Sequence, residues 1–579
     1  MLKDCLEIFK QQYEAKGEAY ILDDYVLVEG TYLLVAEDGL LKSMLEVSKK
    51  DKEIDRTDII YKQFCELDYL SKLGDMNKAL GIKKVIHSNN YLSFFIKKDN
   101  LTSGKLTDEV IDKYYEVLSN PMLKYGKDSK SKEMYESVEE LYGKPDTDTI
   151  EKNKKWINEH IGNILEKFSI KSRKNYLKIF FEADKALYKQ ESDRYFLPNI
   201  YNKAKYNVQV QGQIFGVSND NNGMSDDKPY LRQKTRKNEV PYLVSKEEAL
   251  LQKKFFDFLI SKEAQGKRNI YLSDNIYCLG DAESIDKRFS GYFLRIQNHK
   301  KKGLLIIEFD TIASFSNEIE PCRIPKCIEI DYGAIKYESE IKKQVMTELS
   351  DVKHMVNHVL FNKWLANSYY REASDIKLND PTLKQCILQS RDAFFTWFYK
   401  GNETLIKPLF PKISMRLIKN SVCNGQRLKA QEQFMVRQGI INYLNRGGVE
   451  VPDMMKEVLD QLNVKINAAE QATIESDKEY AIAAGQLVNF FMSLSNASKP
   501  KHAMLNPILN IKSDEKLKQE LKKLFTKYNH SIERKGRRFN NLYAMVAAYT
   551  PEQGINEDAL IYGYLTNSLI YKKGDKDNE

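Results

Sequence analysis

Apolar and polar positions first follow strand-like spacing and later settle into helical spacing. Residues 20–28 and 31–35, split by Glu29-Gly30, read as a pair of strands. Val85-Ile86 and the run Tyr91-Leu92-Ser93-Phe94-Phe95-Ile96 read as two more, with Asn89-Asn90 at the two positions of a tight hairpin turn. Over 108–189 the spacing becomes mostly helical and highly charged, with Tyr114, Tyr115, Trp156, Phe168, Phe180 and Phe181 as core anchors. Residues 208–217 alternate as a strand and run into Ser218-Asn219-Asp220-Asn221-Asn222-Gly223, a loop by composition. Ser245-Lys246-Glu247-Glu248 is a capping box that opens a helix, after which strand-like segments recur at 270–272, 292–296 and 304–309.

Beyond about Glu338 helical periodicity dominates. Gly447, Gly448 and Pro452 break it, Asp453 can cap the next helix, and two later apolar faces comprise Val458, Leu459, Leu462 and Ile466, then Leu487, Phe490, Phe491 and Leu494. The pattern predicts a multidomain chain, an α+β N-terminal body followed by an all-α C-terminal helical bundle. Its expected parts are an α+β part over 1–107 with the Asn-Asn hairpin, a helical lobe over 108–200, and an α+β part over 201–337 with an Asn-rich, basic loop. A helical region over 338–453 and a bundle over 454–579 complete it. A length of 579 residues accommodates several cores at about 100–200 residues each.

Composition narrows the function classes. With 42% hydrophobic and 30% charged residues, and no apolar run near the roughly 18 residues of a membrane span, no membrane partner is expected. Early acids and the lack of a signal-like apolar segment point to a cytoplasmic protein. Seven dispersed cysteines suit a reducing compartment, and Cys322 and Cys327, without a second pair, read as free thiols. His354 and His358 stand four apart on a helix, but Met355 replaces the Glu of a metalloprotease motif and no third ligand follows. No phosphate-binding glycine loop or nucleophile elbow is present, so no catalytic, cofactor or metal motif stands out. Two alternatives stay open: a metal-dependent nuclease or hydrolase using His354 and His358, and a helical scaffold that never binds nucleic acid.

A net charge of +8 says little by itself, but its distribution does more. Between Lys512 and Arg538 ten Lys and Arg face four acids, and Lys522, Lys523, Arg534, Arg537 and Arg538 are candidate phosphate contacts. The other reading of this window is a solvated helix face. At the hairpin, Asn89 and Asn90 have the uncharged donor–acceptor chemistry that reads base edges, with Ser88, Asn77 and Lys78 nearby. Asn also simply tolerates positive φ in turns. In the third part, Asn221 and Asn222 precede Lys228, Arg232, Lys234 and Arg236, a set that grips a sugar–phosphate backbone or forms an exposed loop.

Several of these segments together resemble the large subunit of the type I-B CRISPR Cascade surveillance complex, subtype b of the eighth Cas family. The resemblance is carried by Asp68-Tyr69-Leu70-Ser71, Asn77-Lys78, Ser88-Asn89-Asn90-Tyr91, Lys228-Pro229-Tyr230-Leu231, Lys234-Thr235-Arg236-Lys237 and Pro241-Tyr242-Leu243. Farther on it rests on Asn424-Gly425-Gln426-Arg427, Glu432-Gln433-Phe434, Tyr528-Asn529-His530, Phe539-Asn540-Asn541 and Gly563-Tyr564-Leu565. It implies a non-catalytic subunit that binds CRISPR guide RNA and target double-stranded DNA beside the Cascade backbone and small subunits. Such a subunit recognises the protospacer-adjacent motif, assists strand separation and R-loop formation, and recruits a helicase-nuclease. On this resemblance Asn77, Lys78, Ser88, Asn89 and Asn90 are the motif-reading candidates, and the set from Asn221 to Arg236 lies along the DNA or the guide's 5′ end. The C-terminal half resembles a fused small subunit lining the path of the separated strands. The resemblance also implies that this part is made separately by internal translation, with Met454 or Met455 as candidate start.

Overall fold

The first sheet is built from β1 (Gly30–Val35), β2 (Leu41–Val47), β3 (Ser93–Lys97) and β4 (Tyr176–Phe181), in the order β2-β1-β4-β3. A computed structural model describes the chain except for residues 1, 49–54, 72–84, 128, 172–173, 202–205, 219–241, 286–287, 300–302, 333–337, 447–452, 471, 495–504, 533–535 and 572–579. The described chain forms two compact units, one of residues 1–282 and 291–311, the other of 283–290 and 312–579. The first is α+β and the second, apart from a short two-stranded sheet, is helical.

In the first sheet β1 runs parallel to β4 and antiparallel to β2, while β3 pairs antiparallel with β4. The expected partner of residues 31–35 is corrected: Ala19–Leu22 is a one-turn helix, and Leu41–Val47 supplies the neighbouring strand. The expected helical lobe is corrected too, because Tyr-Leu-Lys-Ile-Phe-Phe of β4 is a central strand within it. Five of its six residues are buried, as a strand covered on both faces requires. Tyr32, Phe64, Phe94, Tyr114, Phe180 and Tyr188 fill the core around this sheet. Lys178 reaches Asp68 across it in a buried ion pair, and Tyr25 Oη donates to the other carboxylate oxygen at 2.9 Å.

Residues 208–217 fold as a hairpin, not as one strand. Its strands β5 (Val208–Val210) and β6 (Gln213–Phe215) pair antiparallel, and Gln211 and Gly212 both take positive φ, the geometry of a two-residue hairpin turn. The predicted capping box is present: Glu248 N donates to Ser245 Oγ at 3.2 Å and Ser245 N to Glu248 Oε2 at 3.0 Å, opening helix Lys246–Ala264. That helix packs Phe255, Phe258 and Leu259 with Phe9 against the second sheet, β10 (Gly303–Phe315), β9 (Phe289–His299), β7 (Asn269–Leu272) and β8 (Ile276–Leu279), in the order β10-β9-β7-β8.

The second unit starts from a small sheet, β11 (Glu318–Arg323) with β12 (Val345–Glu348), and continues as helices to the end of the described chain. Asp380 caps helix Pro381–Lys400, whose Pro stands at its first position and whose C-terminal Gly401 is left-handed at φ 71°. Helix Asp477–Ser493 is almost wholly buried and crosses helix Glu557–Leu565 at Gly485 and Gly563. Among the described residues no helix is long and apolar enough to cross a membrane.

Candidate nucleic-acid interface

Ser88, Asn89 and Asn90 sit where β3 begins, but they face inward. Their exposures are 1%, 2% and 1%. Ile86 bridges Ile96 and His87 N donates to Phe95 O, so the hairpin exists with its bend at 88–92. That bend is covered by helices Thr147–His160 and Lys185–Phe196. Asn153 Nδ2 donates to Tyr91 O at 3.0 Å and Tyr188 Oη to Leu92 O at 2.9 Å. Asn90 accepts from Leu92 N at 2.9 Å and donates to Tyr188 O at 3.0 Å and Ser192 Oγ at 3.1 Å. Ser88 Oγ is within 2.9 Å of Tyr114 Oη and accepts from Phe95 N at 3.1 Å.

The expectation of outward amides is therefore corrected. A buried turn must satisfy its own backbone, and short amide and hydroxyl side chains do so from within. Asn90→Ala is expected to cost about 2–3 kcal/mol of stability, since three hydrogen bonds vanish in a dry site. A urea titration checks it, and an unchanged midpoint would show that Asn90 is not structural.

Ser192 links this bend to a cleft of about 550 Å³ in the first unit, walled by Tyr13, Tyr69, Tyr142, Phe196 and Leu250. Its charged groups are largely matched in pairs. Lys254 Nζ meets Glu18 and donates to Tyr69 Oη at 3.0 Å, Lys253 meets Asp257, and Tyr142 Oη donates to Asp193 Oδ2 at 3.3 Å. Burial lifts the Asp193 carboxyl above its ordinary range and depresses the Lys254 ammonium. Leu70, in the cleft wall, lies just before the stretch 72–84 that carries Asn77 and Lys78. Lys246, also in the wall, follows the stretch 219–241 that carries Asn221, Asn222, Lys228, Arg232, Lys234 and Arg236. All eight of those candidates lie outside the described residues.

The basic window of the second unit folds as helix Asp514–Tyr528 and, beyond residue 533, helix Arg537–Ala548. Leu517, Leu521, Leu524 and Tyr528 line the buried side of the first helix. Lys516, Lys522, Lys523 and Lys527 are exposed. Spacings of seven and eleven place Lys516, Lys523 and Lys527 in one stripe, which the sequence reading named only through Lys523. Lys523 pairs with Glu520 at 2.6 Å, whereas Lys516, Lys522 and Lys527 make no ion pair among the described residues. Arg537 is exposed, and Arg534 lies outside the described residues. Arg538 is a correction: its Nε donates to Asn467 Oδ1 at 2.5 Å and its NH1 to Leu569 O at 2.9 Å, so it ties the bundle together.

Met454 is exposed and Met455 buried in the first turn of helix Asp453–Asn467. The ring centroids of His354 and His358 lie 3.8 Å apart with their planes tilted by 32°, and His358 Nδ1 lies 3.2 Å from Glu340 Oε2. Among the described residues no group of three or more His, Cys, Asp or Glu is arranged to hold a metal ion. Comparison of this chain with models of protein families, with curated proteins and with solved structures finds no match.

Proposed function

We propose that this chain is the non-catalytic large subunit of a type I-B CRISPR Cascade complex, binding guide RNA and target DNA and recruiting a helicase-nuclease. The observation that carries the reading is the exposed lysine stripe on the C-terminal bundle, a surface that follows a strand's phosphates without reading its bases. The two-part architecture supports it as well, an α+β unit being followed by a helical one in which a fused small subunit would reside. Because Asn89 and Asn90 are buried, motif reading in duplex DNA falls to Asn77, Lys78 and the Asn221–Arg236 set. A small subunit started at Met454 or Met455 retains the lysine stripe, so internal translation would multiply that surface along the strand.

Charge reversal tests the stripe. In gel shifts with single-stranded DNA over a salt series, Lys516→Glu with Lys527→Glu, the two stripe lysines without an ion pair among the described residues, is expected to weaken binding. The slope of log affinity against log salt should fall by about 1.4 in magnitude, roughly 0.7 for each lost phosphate contact. An unchanged slope removes the stripe from the interface. Purifying the tagged chain from its native cell and sequencing bound RNA tests the complex. Repeat-derived guide RNA is the expected result, and its absence would refute the Cascade assignment.

A further inference from the structure

Helix Arg427–Leu444 begins just after Asn424-Gly425-Gln426, and a small cavity of about 160 Å³ opens there, lined by Gly425, Arg427, Asn489, Met492, Ser493 and Tyr564. Arg427 is its cation, and no carboxylate pairs with it among the described residues. The guanidinium donates to Asn489 Oδ1 at 3.0 Å, Leu565 O at 3.1 Å and Thr566 O at 2.8 Å, all neutral oxygens. A guanidinium carries five N–H donors, so two remain without an acceptor among the described residues. Burial lowers its basicity, and only the Tyr564 phenol opposes that effect.

The contrast within the same unit is informative. Arg437, fixed in the same helix for packing, is matched by the two oxygens of Asp558, each at 2.8 Å. Arg427 has no such acid, and a charge withdrawn from water without a counter-charge is costly. Two residues on, Lys429 is half-buried and among the described residues donates only to Gln426 Oε1, at 3.4 Å. Gln426 makes no side-chain cap, so the first-turn N–H groups add positive potential beside Arg427. The missing partner is an anion from outside, and the fork of a guanidinium suits phosphate oxygens. The cavity is too small for a whole nucleotide and suits one tetrahedral group.

We propose that this cavity is a phosphate-binding site, filled by a phosphodiester of a bound strand or by the phosphate of a free nucleotide. Only the strand as source rests on the function proposed above; the phosphate site does not. Full-length protein is titrated calorimetrically with inorganic phosphate at constant ionic strength, with chloride as reference. Wild type binds, and Arg427→Gln is expected to lose affinity by about tenfold or more, as a charge-assisted bond disappears. Ser493→Asp sets a carboxylate at the exposed rim without touching the Arg427 bonds, so it decides the matter even where Arg427→Gln fails to fold. Its expected loss is of the same order. No phosphate binding by wild type, or equal affinity in wild type and both variants, overturns the site.

Competition separates the sources. An oligothymidylate that displaces phosphate assigns the site to a strand, and adenosine monophosphate that alone displaces it assigns the site to a free nucleotide. Phosphate binding that depends on Arg427 in a protein with no oligonucleotide affinity keeps the site and removes the strand path. Oligonucleotide binding sensitive to Lys516→Glu and Lys527→Glu, with phosphate binding indifferent to Arg427, removes the site alone.

Discussion

Gly485→Ala is expected to destabilise the helical unit by about 3 kcal/mol or more, and Gly563→Ala by a similar amount. The helices Asp477–Ser493 and Glu557–Leu565 meet backbone to backbone at these two positions. A methyl on Gly485 would overlap Leu560 O and stand 2.7 Å from Tyr564 N and 2.9 Å from Gly563 C. One on Gly563 would overlap Ile482 O and stand 2.9 Å from Ile482 C. None of these atoms belongs to a side chain that can rotate away, so the helices themselves must separate. Separation would also strand Gln486, whose Nε2 donates to Gly563 O at 2.7 Å and Thr566 Oγ1 at 2.9 Å. Gly554, in the same unit at φ 81° and with only Lys512 O at 3.6 Å near it, is the control: its Ala variant pays only backbone strain, about 1 kcal/mol. Urea midpoints at constant m-value measure all three, and a Gly485→Ala midpoint close to that of Gly554→Ala would refute the close crossing.

What the sequence made legible was local. The Ser245–Glu248 box is a four-residue device, and it formed as written. The strands at β1, β7, β9 and β10 stand out as apolar runs, but their partners do not, because pairing is settled by residues far away in the chain. β4 was hidden in a charged helical stretch, since a short buried strand and a buried helical turn look alike in six residues. Asn90 shows the limit at a candidate site. The same residue suits a turn whether its amide faces solvent or, as here, Tyr188 and Ser192. Arg537 and Arg538 are identical in sequence, and only the fold separates an exposed cation from one held by Asn467 and Leu569. The lysine stripe was readable from helical spacing. The Arg427 cavity was not, because Asn489 and Tyr564 reach it from distant helices. Of the segments that resemble the Cascade large subunit, Asp68 and Gly563 serve packing, the first in an ion pair with Lys178 and the second at a helix crossing.

Asp558→Ala is expected to cost about 2–3 kcal/mol, less than the penalty for a fully buried ion pair because the acid is 30% exposed while its arginine is buried. Arg437 is 5% exposed, and its guanidinium meets Asp558 through Nε and NH2 while NH1 donates to Pro411 O at 2.5 Å and Ser414 Oγ at 2.7 Å. Gln438 Nε2 also donates to Asp558 Oδ1, at 3.0 Å. Truncating the acid leaves a charged fork and an amide donor facing a methyl group. Removing both charges with Arg437→Met and Asp558→Leu is expected to restore most of the loss, because neither charge is then left unpaired. The same residue discriminates between the two products of the proposed internal start. A chain begun at Met454 lacks Arg437, so there Asp558 contributes only its favourable place in the first turn of helix Glu557–Leu565, about 0.5 kcal/mol. Urea titration of Asp558→Ala in both chains therefore measures how much of the helical unit's stability comes from residues before the start. Equal losses in the long and short chains would mean that Arg437 is not the partner that matters.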